Sequence, residues 1–123
     1  MTVQLPFRTE QTPNAWDRSG LPAWTYSSAS VFDLERAHVF LNHWQVVGHV
    51  GDLPSVGDWL SFDLMGERAV VMRGQDGVVR AFHNLCRHRG ARVVDGGQGH
   101  CRGAMVCPFH GWVYNLDGTL RGV

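Results

Sequence analysis

Apolar residues along the chain change their spacing once, near residue 44. Residues 1–20 are polar and punctuated by Pro6, Pro13 and Gly20, which predicts an arm or loop; we assign residues 1–27 to it, with Trp16 and Trp24 as ordinary packing residues. Behind a helix start at Ser30 and Asp33, the residues Val31, Leu34, Ala37 and Leu41 recur at helical spacing, predicting one helix of about three turns. From Trp44 the period becomes two: Trp44, Val46 and Val50 alternate with Gln45, Val47 and His49, the pattern of a strand. Asp52 to Gly57 interrupts that pattern, Trp59 to Leu64 resumes it, and Gly66-Glu67 turns the chain. Ala69 to Arg73 and Val78 to Phe82 flank Asp76-Gly77, and Trp112 to Asn115 and Thr119 to Val123 flank Asp117-Gly118. Asp-Gly is a favoured hairpin signal, so each pair reads as a hairpin. The fold class is therefore mainly β: a small antiparallel β domain over residues 28–123, preceded by one short helix.

Between the two Asp-Gly hairpins lies the stretch that carries chemistry. It reads Cys86-Arg87-His88, then 18 residues from Arg89 to Val106, then Cys107-Pro108-Phe109-His110. Each arm offers one sulfur and one nitrogen. If both sulfurs go to one metal and both nitrogens to another, the set suits a two-iron, two-sulfide cluster with His₂ replacing Cys₂ on one iron, which is a Rieske centre. With neutral imidazoles the oxidised unit is formally uncharged. It is thus easier to reduce than a four-cysteine cluster, in a window of roughly −150 to +300 mV against about −400 mV. Thiolates stabilise ferric iron better than imidazoles do, so Cys86 and Cys107 are assigned to the iron that stays ferric, and His88 and His110 to the one that changes state. The potential should then fall as pH rises through the histidine ionisations. The competing reading is one tetrahedral zinc ion held by the same four side chains in an interaction module. Zinc motifs usually pair like with like, whereas each arm here mixes the two types.

Composition narrows the function classes further. One hundred and twenty-three residues suit a single domain with one modest core. Eleven basic and eleven acidic side chains cancel, giving no electrostatic case for nucleic acid, and Arg87, Arg89, Arg92 and Arg102 are interspersed arginines, read as solvated or paired. No apolar run approaches ~20 residues and Met1 to Glu10 has no apolar signal core, so no membrane association is expected. Of three cysteines, Cys101 lacks a disulfide partner once the other two are assigned to iron, and this points to a cytoplasmic location.

The residues from Asn84 to Gly122 resemble the Rieske domain of ring-hydroxylating oxygenase α subunits. The likeness rests on Asn84-Leu85-Cys86-Arg87-His88-Arg89-Gly90-Ala91, on Cys107-Pro108-Phe109-His110-Gly111-Trp112-Val113-Tyr114 and on Asp117-Gly118; Trp44 to Pro54 is similar to the family's entry strand. Rieske proteins of quinol-oxidising complexes carry an extra cysteine in each ligand loop, where this chain has Ala91 and Phe109, and a serine near Gly111-Trp112. Fewer hydrogen bonds to sulfur imply a lower potential. The resemblance implies a 2Fe-2S cluster on a pair of loops and no catalytic residue in this stretch. It also implies an NAD(P)H-dependent reductase or a ferredoxin as donor, and as acceptor a mononuclear iron in a catalytic domain of the same or a neighbouring subunit of a homo-oligomer. Aromatic ring hydroxylation is the expected reaction of the whole enzyme. The family's domain continues with further strands and then the catalytic domain, so residues 28–123 are expected to lack the C-terminal strands and the mononuclear iron. A free-standing Rieske ferredoxin is the alternative.

Other candidates are read as structural. Glu35, His38 and His43 fit the spacing of the family's mononuclear iron ligands, but His43 is turned by about 140° from His38 on an ideal helix. His38 is taken as a helix residue against the core. Gly90, Gly103 and Gly111 are expected to let backbone approach the cluster, and Gly96 to Gly99 to form turns. Pro108 should fix the second loop, Cys101 is a spare thiol, and His49, His83 and His100 are ordinary strand or loop residues.

Overall fold

The computed structural model of the chain describes residues 20–123. Most of the expected arm, with Trp16, lies outside these residues. Its described end carries a short 3-10 turn at Ala23–Tyr26, in which Thr25 is buried and Trp24 is half exposed.

The predicted helix begins two residues early and does not stay regular. It comprises α1 (Ala29–Glu35), whose first turn is capped by Ser28 accepting the Val31 N–H, and a π turn over Arg36–Phe40 closed by the Leu41 N–H on the Arg36 carbonyl. The extra residue in that turn shifts the phase of everything after it. Val31 and Leu34 are therefore half-buried as the pattern predicts, while Ala37, His38 and Leu41 face solvent, so His38 does not lie against the core. Arg36 ties the helical stretch to the sheet through the Met65 carbonyl at 3.2 Å.

Seven strands follow. β1 (Asp58–Leu64), β2 (Glu67–Arg73), β3 (Val79–His83) and β4 (Gln98–His100) form an antiparallel sheet in the order β3-β2-β1-β4. β5 (Met105–Val106), β6 (Val113–Tyr114) and β7 (Leu120–Gly122) form a second sheet in sequence order, with a bulge between β6 and β7. In the first sheet Trp59 faces Met72 and Ser61 faces Val70, and Val70 in turn faces Phe82, so these positions share one side. That side carries the core: Trp59, Val70 and Met72 pack with Cys86, Val94, Met105, Cys107, Tyr114 and Leu116 from the loops and the second sheet. Both Asp-Gly turns form as expected, with Gly77 at φ 77° and Gly118 at φ 88°, each aspartate accepting the N–H two residues on.

Two further expectations, both about strands, fail. Trp44 to Val50 is extended but pairs with no strand among the described residues, and Trp44 and Val46 are fully exposed. Alternation marks a segment able to join a sheet, but a ladder needs a partner strand, and here the segment lies along neither edge strand, β3 or β4. Gly96 to Gly99, in contrast, is more than a turn: Gln98–His100 is β4 itself. Gly99 pairs with Trp59, and a Cβ there would sit 2.5 Å from the indole, so the glycine is what lets the ring lie flat on the strand.

Candidate metal centre

The two ligand loops are built on one plan. In the first, the Cys86 N–H donates to the Ala91 carbonyl at 2.7 Å and the Gly90 N–H to the Cys86 carbonyl at 2.8 Å. In the second, the Cys107 N–H donates to the Trp112 carbonyl at 2.8 Å and the Gly111 N–H to the Cys107 carbonyl at 3.0 Å. Each loop thus leaves its cysteine, turns through three residues, and returns on a glycine with positive φ, 70° at Gly90 and 76° at Gly111. The glycine is required where the chain doubles back in a conformation that side chains disfavour. Arg87–Arg89 and Pro108–His110 are the turn residues, and Pro108 takes the first place in its turn, where its fixed φ suits the geometry.

This plan separates the two donor types. Cys86 and Cys107 are 3% and 2% exposed and belong to the core, while His88 and His110 stand on the outer surface of the turns. The two imidazoles meet across the loops, with ring centroids 4.7 Å apart and planes at 64°. Trp112 lies parallel to His88, at 5.1 Å and 4°. Phe109 is tilted against His110 at 4.0 Å.

Around Cys86 the surroundings favour a thiolate. Burial pushes its thiol up, but the Tyr114 hydroxyl, the backbone N–H groups of His88 and Arg89 and the Cys107 thiol outweigh it, and the thiol falls below its ordinary range. The Tyr114 oxygen is 3.2 Å from Cys86 Sγ and accepts the Arg87 N–H at 3.0 Å, which leaves its own hydrogen for the sulfur. His88 is held below its usual pKa by partial desolvation and by the neighbouring His110 and Arg89, a shift in the direction that favours the metal-binding form.

Asn84 anchors the first loop. Fully buried, it accepts the N–H groups of Val93 at 2.9 Å and Val94 at 3.1 Å and donates to the Val94 carbonyl at 2.8 Å, tying the chain before Cys86 to the chain after the loop. Arg92 clamps the same segment to β1 through both carboxylate oxygens of Asp63, so one of the four interspersed arginines is a structural pair. Sequence reasoning assigned no role to Tyr114 or Asn84. For Tyr114 a signal existed: Trp112, Tyr114 and Leu116 alternate into the core from β6, which places the tyrosine under the loops. No such signal marked Asn84.

The donor set fits a two-iron, two-sulfide group. Two thiols converge from below with N–H and O–H donors aimed at sulfur, and two imidazoles meet edge to face above them. Among the described residues no three or more His, Cys, Asp or Glu side chains form a group placed to hold a metal ion. Glu35, His38 and His43 form no such group either. Cys101 is half-buried beside Trp59, and all three thiols are free. No helix among the described residues is long and apolar enough to cross a membrane.

Comparison with known proteins agrees with the geometry. The family described as Rieske [2Fe-2S] domain matches residues 43–123. The chain is 37% identical over 100 residues to the carnitine monooxygenase oxygenase subunit of Escherichia coli K12, covering 81% of this chain and 26% of that protein. To the large oxygenase component of the 2,4-dinitrotoluene dioxygenase system of Burkholderia sp. RASC it is 38% identical over 98 residues, covering 80% and 22%. It superimposes on the quaternary ammonium Rieske monooxygenase CntA with a TM-score of 0.76 at 37% identity, covering 80% of this chain and 27% of that one. The chain therefore spans about a quarter of the length of the relatives it matches, and over that span it belongs to the family of Rieske [2Fe-2S] domains.

Proposed function

We propose that residues 28–123 transfer single electrons through a Rieske cluster held by Cys86, His88, Cys107 and His110, as the electron-accepting domain of a Rieske oxygenase subunit. The observation that carries this reading is the layering of the site: two buried sulfurs beneath two exposed imidazoles whose centroids are 4.7 Å apart. A bound cluster of this kind supplies a reversible one-electron couple. The chain's own part is to keep the sulfurs dry and hydrogen-bonded through the core and Tyr114, and to present the exposed histidines to a partner.

By likeness to the relatives, the donor is an NAD(P)H-dependent reductase or a ferredoxin, and the acceptor is a mononuclear iron in a catalytic domain of the same or a neighbouring subunit. A related quaternary ammonium monooxygenase has been described in terms of inter-subunit electron transfer. Aromatic ring hydroxylation is too narrow an expectation, because the similar proteins include a carnitine monooxygenase as well as a dinitrotoluene dioxygenase. Free thiols fit a reducing compartment, and we place the protein in the cytoplasm.

Metal and sulfide analysis tests the ligand assignment. Anaerobically reconstituted protein should hold about two irons and two acid-labile sulfides per chain. Substituting Cys86, His88, Cys107 or His110 by alanine should abolish loading, and Cys101→Ser should leave it intact. A colourless protein containing zinc and no sulfide would overturn the reading.

A further inference from the structure

We propose that Trp112 is a positioning residue that sets the plane of the His88 imidazole and thereby couples one ligand loop to the other; the inference rests on the assignment of His88 as a ligand. The indole and imidazole planes are within 4° of parallel with centroids 5.1 Å apart, and they come from different loops. Trp112 is held at both ends of the residue. Its carbonyl receives the Cys107 N–H at 2.8 Å, which pins the backbone to the base of the second loop, and its ring is half-buried against the core. His88, in contrast, stands on the exposed turn Arg87–Arg89, and what orients its ring is aromatic contact: the face of Trp112 and the edge of His110.

The two histidines are consequently not equivalent. An imidazole bound through one nitrogen can still rotate about that bond, and a flat, rigid neighbour on one face removes the rotation. His110 has as its aromatic face neighbour Phe109, which belongs to the same loop, is tilted by 36° and is 59% exposed. That contact moves with the loop and cannot tie it to the other one. The Trp112–His88 stack is the cross-loop brace, and it would hold the His88 ring plane when His88 binds a metal. The same ring shields one face of His88 and leaves its edge open.

The g values of the reduced cluster report the orientation of the histidine ligands, and the rate of cluster release to a chelator reports the brace. Both are measured on the full-length loaded chain as wild type, Trp112→Leu and Trp112→Phe. Expected for Trp112→Leu are an altered spread of g values and release about three- to tenfold faster, the range an aromatic stack contributes; Trp112→Phe, which keeps a ring on His88, stays near wild type. Wild-type g values in Trp112→Leu, with or without a lower thermal midpoint, overturn the proposal, as does a Trp112→Phe variant as impaired as Trp112→Leu. Should Trp112→Leu fail to accumulate, Trp112→Met takes its place, with an altered spread expected and wild-type g values again overturning the proposal. The wild-type spectrum is recorded first: if it lacks mixed Cys/His ligation the ligand assignment fails, whereas a proper wild-type spectrum with unresponsive variants removes only the role of Trp112.

Discussion

The Tyr114 hydroxyl sits 3.2 Å from Cys86 Sγ while accepting the Arg87 N–H, so a β6 side chain donates directly to a sulfur of the candidate centre. A donor to sulfur stabilises the reduced, more negative state more than the oxidised one. Removing it should lower the reduction potential, and Tyr114→Phe does so without changing the ring. A loss of about 1 kcal/mol of differential stabilisation corresponds to about 40 mV for a one-electron couple. Redox titration of the two proteins checks the sign and the size; an unchanged or higher potential contradicts the assignment. The lack of a serine near Gly111 therefore does not set the potential alone, because Tyr114 supplies a donor that lies outside both ligand loops.

Asn84 makes three hydrogen bonds from a fully buried position. Asn84→Leu leaves two N–H groups and one carbonyl of the Val93–Val94 segment without partners, at a cost of about 1–3 kcal/mol for each group that water cannot reach. We expect a loss of about 3 kcal/mol or more in denaturant unfolding of the cluster-free chain. Loading should weaken as well, since the base of the first ligand loop loses its tie.

Two glycine substitutions should separate two kinds of constraint. At Gly99 a Cβ would meet Trp59 at 2.5 Å, and neither the indole nor the strand beneath it can move away cheaply, so Gly99→Ala should destabilise by about 1–3 kcal/mol. At Gly90 the space is open, but φ is 70°, so Gly90→Ala should cost only the backbone strain of about 1 kcal/mol. A Gly99→Ala variant as stable as wild type would contradict the contact at Trp59.

Acid stability should depend on Asp58 and Asp63. The hydrogen bond from His100 holds Asp58 below the ordinary carboxylate value of 3.8, and the bidentate Arg92 contact does the same for Asp63. A carboxylate with a depressed folded-state pKa adds stability that is complete above the unfolded value and is lost as pH falls through the folded one. Stability should therefore decline below about pH 4. Asp63→Asn should flatten that decline, while at neutral pH it loosens the segment after the first ligand loop. A thermal midpoint with the same pH slope in both proteins would count against the pair.

Much of this architecture is legible in the sequence, because it depends on neighbours in the chain. Asp76-Gly77 and Asp117-Gly118 form their turns from local chemistry, and the positive-φ glycines of the ligand loops stand four residues after each cysteine. What is not legible depends on distant partners. Trp44 to Val50 alternates like a strand yet finds no ladder among the described residues, and Gln98–His100 is a strand despite Gly99, which pairs with Trp59 where a Cβ would clash with the indole. The π turn after Glu35 carries no periodic signal, and it is what turns His38 and Leu41 outward. Alternation places Tyr114 in the core, but its bond to Cys86 spans 28 residues and those of Asn84 to Val94 span 10, and no spacing rule predicts these partners.

Electron paramagnetic resonance of the anaerobically reduced protein tests the mixed ligation most directly. Two sulfurs on one iron and two imidazoles on the other predict a rhombic signal with an average g value below that of an all-cysteine cluster. A silent spectrum, or one with the g values of four-cysteine ligation, would contradict it.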